Sequence, residues 1–426
     1  MTPEIKHRIG QIRRGEVPEG YVKKRKVVIP QQWGLPQIKD IASISSGSTP
    51  NRNNSEYWNG NIAWVTTGEL SSGHVNHTSE LITVKAVKET KMRIYPQGTL
   101  LMAMYGQGKT RGTVAILEID AAVNQACAAI TVKDGKSKFL FYQLKNSYQD
   151  IRKLSNTGNQ ENLNADIIKT YQVPWAPDEE QERISTILTT QDKVIELKEK
   201  RLAEKQRQKK YLMQQLLTGK KRLPGFSGQW EIKPLKKLTE KQKKKNHGFQ
   251  YRLVLSNSAQ HGIVSQDQEF DKEIANEERI DGYYVVIPGA FVYNPRISVT
   301  APCGPINVNE TGETGIMSPL YTVFTISSPQ ISQDFLKYYF QSSCWYKYVK
   351  EVANYGARHD RISISDGDFF DMPIPLPTKE EQSYIAEVLS TADREIELLQ
   401  QDIEQEKQKK KALMQLLLTG IVRVKT

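Results

Sequence analysis

Four short runs in this chain have the residue types and spacings of reactive sites, and each lacks the element its chemistry requires. Ala103–Thr110, AMYGQGKT, has P-loop spacing with Ala in place of the first Gly. In a P-loop the Lys and Thr open a helix whose amides hold phosphate. Here Arg111-Gly112 and a strand-like Thr113-Val-Ala-Ile-Leu follow, so the run reads as a Gly-rich loop presenting Gln107, Lys109, Thr110 and Arg111 to a polyanion. Pro177-Asp178 followed by Glu196-Leu197-Lys198 imitates a nuclease, which needs its acids and Lys on adjacent strands around Mg²⁺. These residues instead fall on one predicted helix, roughly 27 Å apart along its axis. Tyr293-Asn294-Pro295-Arg296 starts like an adenine-methyltransferase site but lacks the second proline and the aromatic. His74 and His77 have ligand-like spacing, yet no Cys or acid pair joins them, and they read as surface histidines. No catalytic site and no metal site is expected.

The composition points to a charged partner instead. The 426 residues carry 59 Lys plus Arg against 48 acids, a net charge of +11, with 38% hydrophobic residues. That is an ordinary core-forming composition with a basic excess, for which nucleic acid is the default partner. Three widely spaced cysteines, Cys127, Cys303 and Cys344, give neither a disulfide framework nor a zinc cluster. No apolar run approaches membrane-spanning length, and the first residues lack the apolar core of a signal peptide, so a cytoplasmic protein is expected.

The elements that would position a binding site are written twice. KKYLMQQLLTGKKR at Lys209–Arg222 returns as KKALMQLLLTGIVR at Lys410–Arg423, with ten identical positions at an offset of 201. Upstream, Glu179-Glu180-Gln181 aligns with Glu380-Glu381-Gln382, and Gln32-Trp33 recurs as Gln229-Trp230. A period this long excludes a solenoid and means a duplicated domain. The expected order is a basic arm at 1–32, a mixed domain at 33–178, a helix at 179–222, a second mixed domain at 223–378 and a second helix at 379–426.

Within the domains, Ile62–Thr66, Thr99–Met104, Thr113–Ile119 and Ala128–Val132 read as strands, followed by a helix at Lys138–Leu154. Tyr283–Ile287, Ala290–Tyr293 and Leu320–Ile326, then a helix at Ile331–Val352, repeat that texture. The long helices carry heptad-spaced apolar residues at Leu188, Ile195, Leu202 and Leu216, and at Leu389, Ile396, Ile403 and Leu417. Leu212 and Leu413 occupy the companion position, and Lys209 and Lys410 interrupt both registers alike. So narrow a stripe suits pairing with one other helix rather than a globular core. Between Asp178 and Arg222 there are 12 basic and 8 acidic residues, and between Lys379 and Arg423 7 and 9, so each helix is the natural partner of the other. The fold class is therefore α+β: two mixed α/β domains separated by long helices forming an antiparallel coiled coil, with an internal pseudo-twofold repeat.

Loop chemistry suited to nucleic acid appears in both copies. The first offers Ser48, Thr49, Asn51 and Arg52, the 107–111 loop, and Asn159 with Gln160. The second offers Lys243, Lys244 and Lys245, Asn257 and Gln260, Asn294 and Arg296, and Arg358 and Arg361. Asn and Gln can pair with adenine and Arg with guanine, whereas Lys runs hold phosphates.

At this point the chain resembles the specificity subunit of Type I restriction–modification systems. Arg14-Gly15-Glu16-Val17-Pro18-Glu19-Gly20-Tyr21, Ser46-Gly47-Ser48-Thr49-Pro50, Phe291–Arg296 and Met317–Phe324 carry the likeness, with the Glu-Glu-Gln…Leu-Leu-Thr-Gly helices. The resemblance implies two target-recognition domains, each reading half of a bipartite, asymmetric double-stranded DNA sequence, and helices that set the spacer and dock partners. It implies a non-catalytic chain that binds no cofactor, working with two methyltransferase subunits and leaving open whether a restriction/translocase subunit joins them. S-adenosylmethionine, ATP and Mg²⁺ would act on those partners. The competing readings are a P-loop ATPase or nuclease acting on DNA, and a coiled-coil structural adaptor.

Overall fold

The computed structural model describes residues 2–106, 108–154, 162–266, 277–354 and 360–424. The chain forms two compact units: Met1–Lys198 with Asp402–Thr426, and Glu199–Gln401. Each unit thus holds one globular domain, part of the helix that follows it and part of the other long helix.

Unit 1 is organised by a five-stranded sheet. Its main strands are β1 (Ala42–Ser46), β2 (Leu100–Ala103), β3 (Val114–Leu117) and β4 (Cys127–Val132). The order is β1-β4-β2-β3 with Val75 and its neighbour on the far edge, and only that edge strand pairs in parallel. Successive side chains of a strand face opposite sides, and both sides are filled. Leu100, Met102, Ile116, Ala128 and Ile130 pack under the helix Ser137–Asn146, through Phe139 and Leu140. Leu101, Ala103, Ala115, Leu117, Cys127 and Ala129 face a second core with Val65 and Leu70. That double burial is why these strands read as continuous apolar runs rather than alternating ones. Burial also pushes the Cys127 thiol up to about 12.

Unit 2 repeats the plan with β5 (Thr239–Lys241), β6 (Phe291–Tyr293), β7 (Ile306–Val308) and β8 (Thr322–Ile326), in the order β5-β8-β6-β7. Phe291, Tyr293 and Phe324 pack against Phe335, Leu336 and Phe340 of the helix Gln333–Gln341. Both domain helices are shorter than the sequence suggests. The first breaks at Ser147 before Tyr148–Lys153. The second stops at Ser342, whose backbone is extended, before resuming at Tyr346–Val352.

Residues 1–32 are not a free arm. A helix, Pro3–Arg13, capped by Thr2, and a hairpin of Tyr21–Lys24 with Val27–Pro30 fold into unit 1. Ile29 is buried, and the Tyr21 hydroxyl donates to the Gly420 carbonyl at 2.7 Å.

The long helices run Asp178–Leu216 and Lys379–Leu417. Left-handed glycines at Gly219 (φ 69°) and Gly420 (φ 70°) follow their ends, the position where αL glycines commonly stop helices. Within each unit the helix segments pair antiparallel. In unit 1, Lys198 donates to Asp402 (2.8 Å) and Glu406 (2.9 Å), Gln191 donates to Glu406 (2.6 Å), and Lys410 pairs with Asp192. In unit 2, Lys205 donates to Glu395 (2.6 Å) and Lys209 pairs with Asp393. The lysines that interrupt the heptads are therefore helix-pairing residues. The narrow-stripe expectation holds only in part, because the helix ends enter globular cores. Leu188 and Leu417 belong to the unit 1 core, and Leu216 and Leu389 to that of unit 2. Ile195 and Ile403 are buried, while Leu202, Leu212, Ile396 and Leu413 are half-buried.

The Gln191–Glu406–Lys198 group makes unit 1 acid-sensitive. Hydrogen bonds from Gln191 and then Lys198 lower the Glu406 carboxyl from 4.5 to about 2. A depressed carboxyl stabilises the fold fully above its unfolded value and loses that contribution as pH falls through the folded one. Glu406→Gln should therefore melt below the native protein at pH 6, with the gap narrowing as pH drops from 4.5 towards 2. Equal gaps at all pH values would contradict this.

Candidate nucleic-acid interface

The sheet registers bring the candidate loops of each unit to one end. In unit 1, Ser46 at the end of β1 pairs with Ala128 near the start of β4, and Cys127 pairs with Ala103 at the end of β2. Met102 in turn pairs with Val114 at the start of β3. The β1 exit loop and the β2–β3 loop thus leave from the same end. In unit 2, Lys241 pairs with Phe324, and Tyr293 pairs with both Thr322 and Ile306. The β5 exit loop and the β6–β7 loop occupy the corresponding end. The sequence candidates at 48–52 and 243–245 are therefore structural equivalents, as are those at 109–111 and 294–296.

In unit 1 the loop after β1 is tightly held. A Cβ on Gly47 would lie 1.9 Å from the Val123 carbonyl oxygen, so only glycine fits. The Ser48 amide donates to Val123 at 2.9 Å, and Thr49 bonds Gln125. Asn51 turns the chain by accepting the Asn53 amide at 3.0 Å. The Arg52 guanidinium lies 4.2 Å from the Trp58 ring centre and 4.9 Å from that of Trp64, with its edge on Glu80. A stacked, carboxylate-paired arginine is fixed in direction before any ligand arrives.

The β2–β3 loop contains three left-handed glycines, Gly106, Gly108 and Gly112. Tyr148 donates to the Lys109 carbonyl at 2.6 Å, and Arg152 donates to the Arg111 carbonyl at 2.9 Å. Lys109 is exposed, Thr110 half-buried and Arg111 buried. Lys109 is thus the exposed cation of this loop, while Arg111 is packed into the loop base. Lys109 and Thr110 lie in a turn leading to strand β3 rather than at a helix start.

In unit 2, Lys243, Lys244 and Lys245 are consecutive and exposed. Gln260 is exposed at the turn between Leu255–Ser258 and Gly262–Ser265. Asn257 and Asn294 are buried and occupied. Asn257 donates to the Val292 carbonyl at 2.8 Å and accepts from Asn307 at 2.7 Å, and Asn294 donates to the Asn257 carbonyl at 3.1 Å. They brace the β6–β7 loop and are not free to reach a base edge. Arg296 is exposed, and its backbone bridges to half-buried Arg361. Gln107, Asn159, Gln160 and Arg358 lie outside the described residues.

Sequence reading missed the residues that fasten each long helix to its unit. Glu180 is fully buried; it accepts from Arg423 at 2.8 and 2.9 Å and from the Trp33 indole at 2.9 Å. Glu381 does the same with Arg222 at 2.6 and 2.7 Å and Trp230 at 2.9 Å. All six were visible as repeated residues. The pairing was not, because each Arg belongs to the other copy of the repeat.

Other residues of the motifs singled out in the sequence are held in ion pairs. Asp178 pairs with Lys136, and Lys198 with Asp402 and Glu406. Exposed His74 pairs with Glu118 at 2.8 Å. Among the described residues no His, Cys, Asp or Glu cluster could hold a metal, and no helix is long and apolar enough to cross a membrane.

The duplicated chain thus presents two related modules, each with a loop-rich sheet end. It belongs to the family described as the Type I restriction modification DNA specificity domain, which matches twice, at residues 30–207 and 230–408. The chain is 25% identical over 445 residues to the putative MjaX specificity subunit of Methanocaldococcus jannaschii, covering 96% of this chain and 98% of the relative. The MjaVIII specificity subunit of that organism is 25% identical, with 96% and 97% covered. The MjaIX specificity subunit is 34% identical over 178 residues, 40% of each chain. In fold the chain is similar to the S subunit of a Type I restriction–modification system from M. genitalium (TM-score 0.51, 11% identity, 93% and 98% covered). A structure from work on type I R-M complex assembly gives a TM-score of 0.59 at 15% identity, with 92% and 99% covered. The family role is DNA sequence specificity without catalysis.

Proposed function

We propose that the two sheet ends read the two halves of one split, asymmetric double-stranded DNA sequence, with domains 33–178 and 223–378 as its target-recognition domains. The equivalence of the loops, held at the same sheet end in each unit, carries this reading. Asymmetry follows from their contents: a stacked Arg52 and an exposed Lys109 in one unit, a lysine run and an exposed Arg296 in the other. The long helices set the separation of the half-sites and dock two methyltransferase subunits, with a restriction subunit as a further partner in the cytoplasm. S-adenosylmethionine, ATP and Mg²⁺ belong to those partners.

Co-expression with the cognate methyltransferase subunit, followed by genome-wide mapping of methylated adenines, tests this reading. The expected result is a two-part motif with a fixed gap; a single contiguous motif would overturn it. A heptad inserted after Leu202, matched by one after Leu398, adds roughly 10 Å of helix. It should widen the gap by about 3 base pairs at 3.4 Å each and leave both half-motifs unchanged. Altered half-motifs with an unchanged gap would refute the spacing role.

A further inference from the structure

The β6–β7 loop of unit 2 ends in a feature that cation-mediated binding leaves unexplained. Val299 is 102% exposed, the highest value of any large apolar residue described, and Ile297 beside it is also exposed. A lone exposed valine is ordinarily unremarked. This one sits on a rigid mount at the end of the sheet proposed to face DNA.

Ser298 and Ala301 close the tip by exchanging backbone hydrogen bonds of 3.1 and 3.2 Å, leaving Val299 and Thr300 at its apex. Below it, the Ile297 amide donates to the Asp360 carbonyl at 3.1 Å and the Ile362 amide to the Pro295 carbonyl at 2.9 Å. The neck is sealed by Gly304 (φ 77°), where a Cβ would stand 2.1 Å from the Asn294 carbonyl oxygen. Buried Asn257 and Asn294 brace the base. The finger is pre-ordered, so little entropy is lost when it docks. Val299 is also β-branched and stiff at χ1. Exposed Arg296 at its base and the 243–245 lysines at the same sheet end make its surroundings attractive to a polyanion.

An apolar tip among cations needs an apolar group on the DNA surface. In the major groove that group is the thymine 5-methyl. We propose that Val299 is a specificity-determining residue that contacts a thymine methyl group in the half-site read by unit 2. The inference rests on the two-half-site reading above.

The test uses the full chain with its methyltransferase subunit on the mapped target, replacing each thymine singly by uracil, which lacks only the methyl. One position in one half-site should weaken native binding about fourfold, the value of one methyl group covered. Val299→Ala, which removes exposed atoms and leaves the fold unstrained, should bind thymine and uracil DNA equally at that position and respond normally elsewhere. The proposal is overturned if no uracil weakens native binding, or if Val299→Ala keeps the full uracil response. A target that maps as one contiguous block would sink the two-half-site reading instead, so the two failures are distinguishable.

Discussion

Glu381→Ala should destabilise unit 2 by about 3–5 kcal/mol, the cost of removing one member of a buried ion pair. The Glu381 side chain is 1% exposed and receives the Arg222 guanidinium on both oxygens and the Trp230 indole on one. Without it, a half-buried guanidinium and an indole N–H lose their acceptor where water has little access. The same residues fasten the start of the distal helix to the end of the central one, both inside unit 2. Loss of this clamp should therefore loosen helix and domain together. Two units need not unfold as one, so a single melting curve is a poor measure. Hydrogen exchange resolves them: β6 and β8 should lose protection while β2 and β4 keep theirs. Glu180→Ala should give the mirror result in unit 1, through Arg423 and Trp33. Equal loss in both units, or a cost below about 1 kcal/mol, would remove these carboxylates from the account.

Replacing Lys243, Lys244 and Lys245 together by alanine should weaken DNA binding on the order of 100-fold at 0.1 M salt. Each phosphate contact adds about 0.9 to the slope of log affinity against log salt, so the slope should become shallower by about 2 to 3. Lysine is a point charge that grips phosphate without reading the base, so the methylated motif should be unchanged. The side chains are exposed, and their loss should leave the melting temperature nearly constant. An altered motif, or an unchanged salt slope, would assign the run another role.

The duplication, the ends of the long helices and several strands of the two domain sheets were legible in the sequence because each has a local signature. The repeat is a matter of identity at a fixed offset, the helices of heptads closed by Gly219 and Gly420, and the strands of apolar runs between turn residues. What sequence could not supply is which residues meet. Lys209 and Lys410 look like defects in a stripe until Asp393 and Asp192 are placed opposite them. Asn257 and Asn294 look like base readers until their amides are found bonded to carbonyls of the same loop system. Polar residues on a loop have the same composition whether they face the ligand or brace the loop. The N-terminal segment was misread for a related reason. Its basic, Gly-punctuated composition resembles an arm, yet Tyr21 ties it to the chain just past the distal helix, about 400 residues away in sequence, and Ile29 is buried in the unit 1 core.

On the reading proposed above, each unit binds its own half of one split DNA target. Footprinting of the chain with its methyltransferase subunit, compared with the Lys243→Ala, Lys244→Ala, Lys245→Ala variant, tests this most directly. Two protected blocks at a fixed gap, only one of which weakens in the variant, are predicted. One continuous block, or equal weakening of both, would contradict the account.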